Sequence, residues 1–169
     1  MATTNLPIVS LENVYNKRWN YGLNFSRAVD EKNQEAGLHG RQGEDVGPLM
    51  IQFYIIRKAG VSEVALVDDV IFEGRLMSYV QSLLEEESVV VRRVFAGIGI
   101  SSGIEYASVG WNRPRVECVR VYGKVIDQIC ERDFYPGVPY SGRTLMRGSQ
   151  LHNIGVPYLY PFGLPEKWA

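Results

Sequence analysis

Histidine and cysteine are scarce in this chain, with two of each among 169 residues. His39 and His152 stand apart from each other and from Cys118 and Cys130, so no set of zinc ligands is spelled out. No Ser-His-Asp or Cys-His arrangement of a nucleophilic hydrolase is evident either. The cysteines lie in helix- or strand-like contexts, where buried free thiols of a reducing compartment are expected rather than a disulfide. Net charge is nearly absent as well: the formal value is −1. A basic field of the kind that bulk nucleic-acid binding needs is therefore lacking. No apolar run is long enough to cross a bilayer, and Met1-Ala2-Thr3-Thr4-Asn5 carries neither the charged nor the apolar region of a signal peptide. The expectation is a soluble, cytoplasmic protein. There is no internal repeat and no low-complexity tract.

What is present suits an ordinary globule. With 46% hydrophobic and 22% charged residues, the chain has the length for one domain over 1–169 with a sizeable core. Residues 1–9 read as an extended arm, and Ser10 as the cap of a short helix over Leu11–Tyr15. A second helix is expected from Phe25 to Ala36, ended by Gly37. Leu38–Pro48 is rich in glycine and charge and reads as a mobile loop. Leu49–Ile56 is apolar, β-branched and aromatic, and is expected to be a buried strand closed by Arg57-Lys58-Ala59-Gly60. Glu63–Val67 is the next strand. Helical spacing of Leu76, Val80, Leu83 and Leu84 predicts a helix from Gly74 to about Glu87. Val89–Ile98 and Arg115–Tyr122 follow as strands, with a glycine- and serine-rich turn at Gly97–Gly103 and a short helix at Val125–Glu131. This alternation predicts a doubly wound α/β fold, a mostly parallel sheet flanked by helices. From Asp133 the character changes, since five of the eight prolines lie beyond it among glycines and aromatics. Residues 133–169 read as an ordered cover segment, too aromatic for a solvated tail.

The most informative stretch runs from Val64 to Leu76. A continuous apolar run leads into Asp68-Asp69, then a glycine, then a helix. Open α/β sheets place ligands at the carboxyl ends of their strands. Successive side chains of a strand alternate in direction, so one carboxylate can meet ribose hydroxyls or a metal-bound water while its neighbour orients the loop. Amides near Gly74, at the start of the helix, suit a phosphate. An acidic turn capping that helix is the bland alternative.

Leu66-Val67-Asp68-Asp69-Val70-Ile71-Phe72-Glu73-Gly74-Arg75-Leu76 resembles the phosphoribosyl-pyrophosphate loop of the type I phosphoribosyltransferases. That loop is a buried strand, an acidic pair, three residues, Thr-Gly, one residue, then Thr or Ser. Ile55-Ile56-Arg57-Lys58 is similar to the neighbouring strand of several of these enzymes, which ends in Arg-Lys. The resemblance covers about residues 49–98 and implies a phosphoribosyltransferase-like sheet. It also implies a site in which Asp68 and Asp69 hold ribose hydroxyls or Mg²⁺, and Glu73, Gly74 and Arg75 surround a phosphate. Arg57 and Lys58 would bind an anion, and Asp133, Phe134 and Tyr135 would stack on and hydrogen-bond a base. The ligand would be phosphoribosyl pyrophosphate or a nucleotide-like molecule, with transfer or hydrolysis at the anomeric carbon, and a homodimer is the default assembly. Glu73 and Leu76 stand where the family has hydroxyls that hold the phosphate, and only Ala59–Ser62 separate the two expected strands, where a closing loop is usual. The alternative is a catalytically inactive member acting as a binding or regulatory module.

Two compact units and a five-stranded parallel sheet

A computed structural model describes residues 4–11, 20–29, 35–40, 48–109, 112–124, 143–147 and 150–156. In chain order the elements are β1 (Ile8–Ser10), β2 (Tyr21–Gly22), β3 (Phe25–Val29), β4 (Glu35–Gly40), α1 (Leu49–Lys58) and β5 (Glu63–Ile71). Then come α2 (Arg75–Glu86), β6 (Val90–Ile100), α3 (Ser101–Ser108), β7 (Arg115–Tyr122), β8 (Arg143–Arg147) and β9 (Gln150–Val156). The chain divides into two compact units, Met1–Asn24 with Pro48–Ile126, and Phe25–Gly47 with Asp127–Ala169.

The first unit carries the expected α/β architecture. Its sheet has the order β2-β1-β5-β6-β7, with every neighbouring pair parallel. Central position explains the apolar run in β5: Val64, Ala65 and Leu66 are fully buried, flanked by Val9 of β1 and by Val91 and Val94 of β6. Each such aliphatic side chain contributes about 1.5–3 kcal/mol by leaving water. α2 presents Met77, Val80, Gln81 and Leu84 inward, one face at helical spacing. Parallel crossovers are right-handed, so α2 and α3, which carry the chain in the same direction across the sheet, fall on one face of it and touch each other.

The apolar run Leu49–Ile56, expected as a strand, is instead helix α1. Pro48 stands just before the first helical residue, and its carbonyl accepts from the Ile51 and Gln52 amides. Arg57 and Lys58 complement the carbonyl end of the helix. Only one face is buried, through Gln52, Phe53 and Ile56, and the buried Gln52 Oε1 accepts from the Asn24 amide at 2.9 Å. Ser10 closes β1, and the helix it was expected to cap, over 11–15, lies, Leu11 apart, outside the described residues. The end of the expected N-terminal arm, Ile8–Ser10, is a sheet strand beside β5. Gly97–Gly103 is likewise no turn, because β6 continues to Ile100 and α3 begins at Ser101.

The second unit is a four-stranded sheet of order β4-β3-β8-β9, with β3 parallel to β8 and the other pairs antiparallel. The helix expected over Phe25–Ala36 is therefore β3 and the start of β4. Pairing with β8, more than a hundred residues away in sequence, overrides the helix-forming composition of the segment. Gly37, expected to end a helix, lies inside β4 at φ 93°, and Leu38–Gly40, expected as loop, complete that strand. β8 and β9 fall within the expected cover segment, while the expected helix at 125–131 lies outside the described residues.

Candidate functional site

In the first unit the strand order reverses between β1 and β5: the chain moves outward from β1 to β2, then back past β1 to β5. Such a reversal opens a crevice at the carboxyl ends of the two strands. β1 pairs with β5 only through Ile8–Ala65, Val9–Leu66 and Ser10–Val67, after which the Leu11 amide donates to the Val67 carbonyl at 2.9 Å. β5 runs on for four more residues, Asp68–Ile71, with β6 alone as its sheet neighbour. The acidic pair sits on this overhang.

Asp68 and Asp69 are thus strand residues, two positions before the strand ends, rather than the start of a loop. Asp68 is half-buried, and its Oδ1 accepts the Asp69 amide at 3.0 Å; Asp69 is exposed. Pleating turns neighbouring side chains to opposite faces. The described residues contain no group of three or more acidic, histidine or cysteine side chains that would hold a metal. One carboxylate with water and ligand phosphates remains compatible with Mg²⁺, which keeps most of its own hydration.

The glycine end of the stretch has a different surrounding. Gly74 precedes α2 in the left-handed region at φ 78°, which an L side chain adopts only with strain. A Cβ there would collide with the Gly103 carbonyl oxygen and approach the Ala107 amide nitrogen to 3.2 Å, and a Cβ at Gly103 would collide with the Phe72 carbonyl oxygen. The β5–α2 loop and the first turn of α3 are thus pressed together backbone to backbone. Gln81 Nε2 donates to the Ala107 carbonyl at 2.9 Å, and Ser78 Oγ to the Tyr106 carbonyl at 3.4 Å, satisfying carbonyls at the end of α3. Glu73 and Arg75 pair with each other at 3.0 Å on the surface.

Arg57 and Lys58 lie elsewhere. α1 returns the chain to the start of β5, so its last turn is at the opposite edge of the sheet from the acidic pair. There Arg57 Nη1 meets Glu87 Oε2 at 3.2 Å, and Lys58 Nζ lies 5.7 Å from the centre of the Tyr54 ring. With 49–56 helical, the likeness to a strand ending in Arg-Lys is gone. Asp133, Phe134 and Tyr135 lie outside the described residues.

Several connections escape the sequence reading. Arg92 pairs with Glu63 at 2.7 Å, joining the starts of β6 and β5. Arg93 holds Glu117 of β7, and its guanidinium carbon is 4.7 Å from the centre of the Phe95 ring. Arg93 and Arg115 together hold the Glu117 carboxyl below its ordinary range, chiefly through the Arg93 hydrogen bond. The glutamates that end α2 act as ties: Glu85 accepts from Asn112 Nδ2 at 2.6 Å, and Glu87 binds Arg57. Opposite charges at facing strand starts were the available signal for the Arg92 pair. Nothing local marked Gly103 as a packing glycine.

No protein-family model, curated protein or solved structure matches this chain. No described helix is long and apolar enough to cross a membrane.

Proposed function

We propose that the first unit is a phosphoribosyltransferase-like domain that binds a ribose-phosphate or nucleotide ligand at the overhanging end of β5. The observation that carries this reading is the position of Asp68-Asp69 where β5 outruns β1 at the reversal of strand order. A carboxylate there accepts hydrogen bonds from vicinal ribose hydroxyls, which charge-assisted geometry makes strong. In an active member the same negative charge would stabilise the cationic ribosyl carbon as its bond to the leaving group stretches. Mg²⁺, where used, would neutralise ligand phosphates next to one of these carboxylates.

A second reading is favoured by two observations: a binding module without transferase chemistry. Glu73, in place of a phosphate-holding hydroxyl, is engaged by Arg75, and the backbone around Gly74 is packed against α3. Both features reduce the room and the donors for a 5-phosphate.

Thermal melting with phosphoribosyl pyrophosphate, ribose 5-phosphate and common nucleotides, each with and without Mg²⁺, tests the binding. A ligand at a hundred times its Kd stabilises by about 2.7 kcal/mol. Asp68→Asn/Asp69→Asn is expected to abolish the shift without lowering the unliganded melting temperature. No shift with any of these ligands refutes the proposal. Pyrophosphate release from phosphoribosyl pyrophosphate then separates an enzyme from a binding module.

A further inference from the structure

The surplus apolar residues of α1 point to a partner. Around this helix Gln52, Phe53 and Ile56 form the buried arc, whereas Met50, Ile51, Tyr54 and Ile55 form a second apolar arc exposed to 81%, 50%, 53% and 53%. A helix that is apolar all round is normally covered all round. We propose that the Met50–Ile51–Tyr54–Ile55 face is a dimer interface, occupied by the same face of a second copy packed antiparallel about a two-fold axis.

Area and charge select this occupant. The four side chains expose on the order of 450 Å² per protomer, hence about 900 Å² in a pair, close to the ~1,000 Å² of a specific interface once the Arg57 and Lys58 stems join it. In an antiparallel pair Met50 meets Ile55 of the second copy, and Ile51 meets Tyr54, so one patch is its own complement, as a two-fold interface requires. All charge on the helix is at its last turn, in Arg57 and Lys58. A ten-residue helix is about 15 Å long, so antiparallel packing holds the two basic ends beyond the ~8 Å screening length. Parallel packing would bring two Lys58 cations and two Arg57–Glu87 pairs together at one end. A membrane surface fits less well, because the helix is short and carries only two cations for anionic headgroups.

Sedimentation equilibrium of the full chain across 1–100 µM tests the interface. A dimer is expected, and Ile51→Glu/Ile55→Glu is expected to weaken it at least a hundredfold with an unchanged far-ultraviolet circular dichroism spectrum. The milder Ile51→Ser/Ile55→Ser should weaken it by at least tenfold, which keeps the test usable if the charged variant misfolds. Val119→Glu, at the exposed edge strand β7, should leave the dimer intact. A monomeric wild type overturns the proposal, with or without vesicle binding. So does a dimer that survives the α1 substitutions, or one that dissociates only through β7.

Discussion

Gly103→Ala is the substitution whose consequence can be worked most directly from the structure. The added methyl would overlap the Phe72 carbonyl oxygen and sit 2.8 Å from the Phe72 carbonyl carbon and 3.2 Å from that of Glu73. These are backbone atoms between β5 and α2, so no side chain can rotate away. Relief requires α3 to withdraw from the loop, which stretches the Gln81–Ala107 and Ser78–Tyr106 hydrogen bonds. Overpacking alone costs about 1–3 kcal/mol, and a weakened buried hydrogen bond roughly 1 kcal/mol more, for a total near 3 kcal/mol. In a cooperative unit of about 100 residues each kcal/mol moves the melting temperature by about 4–8 °C, so a fall of roughly 12–24 °C is expected. Gly123→Ala is the control, since a Cβ there meets nothing within 4 Å. Thermal unfolding by circular dichroism reads both. A Gly103→Ala protein melting within 3 °C of wild type would refute the backbone-on-backbone packing.

Three further outcomes follow from other contacts. Gln81→Leu keeps the buried volume but strands the Ala107 carbonyl, and is expected to lower stability by about 1–3 kcal/mol in urea unfolding; a neutral effect would show that the bond is dispensable. Glu117 has its folded pKa lowered from 4.5, so its contribution is present above the unfolded value and lost as pH falls through the folded one. Glu117→Gln should therefore destabilise at pH 7, with the gap to wild type closing on acidification below pH 4.5; melting curves from pH 7 to pH 3 that stay parallel contradict the Arg93 contact. Burial pushes the Cys118 thiol up, so in a Cys130→Ser background it should react with a disulfide reagent at pH 8 more than tenfold slower than in urea. Equal rates would mean an accessible thiol.

The parts of the fold legible in the sequence were those where one local pattern admits one structure. β5, α2, β6 and β7 fall close to their expected places because apolar runs and helical spacing alternate there without ambiguity. Leu49–Ile56 failed because the run is apolar at every position, so a two-residue and a 3.6-residue period fit it equally. Its flanks held the answer: Pro48 before, and two cations and Gly60 after, are helix start and stop signals. Phe25–Ala36 failed for another reason. Its strands are set by partners distant in sequence, which no local propensity encodes. The acidic pair was expected where the strand ends, but it lies inside β5, because the length of β5 is decided by β6 beside it.

α1 and the β5–α2 stretch bear on the functional reading in opposite ways. Conversion of 49–58 from strand to helix removes Arg57 and Lys58 from any shared site with the acidic pair, so the likeness to a phosphoribosyltransferase rests on β5, its loop and α2 alone. Within that stretch the two halves do different things. The Glu73–Gly74–Arg75 half is committed to an ion pair and to close packing on α3, which makes it scaffold first. The Asp68–Asp69 half extends past β1 where the strand order reverses, and the Asp68 carboxylate accepts its neighbour's amide. For the proposed site, a closely packed loop beside the two carboxylates suits sugar hydroxyls better than tight capture of a phosphate. On the proposed reading, the ligand is therefore expected to depend on its ribose hydroxyls more than on its 5-phosphate.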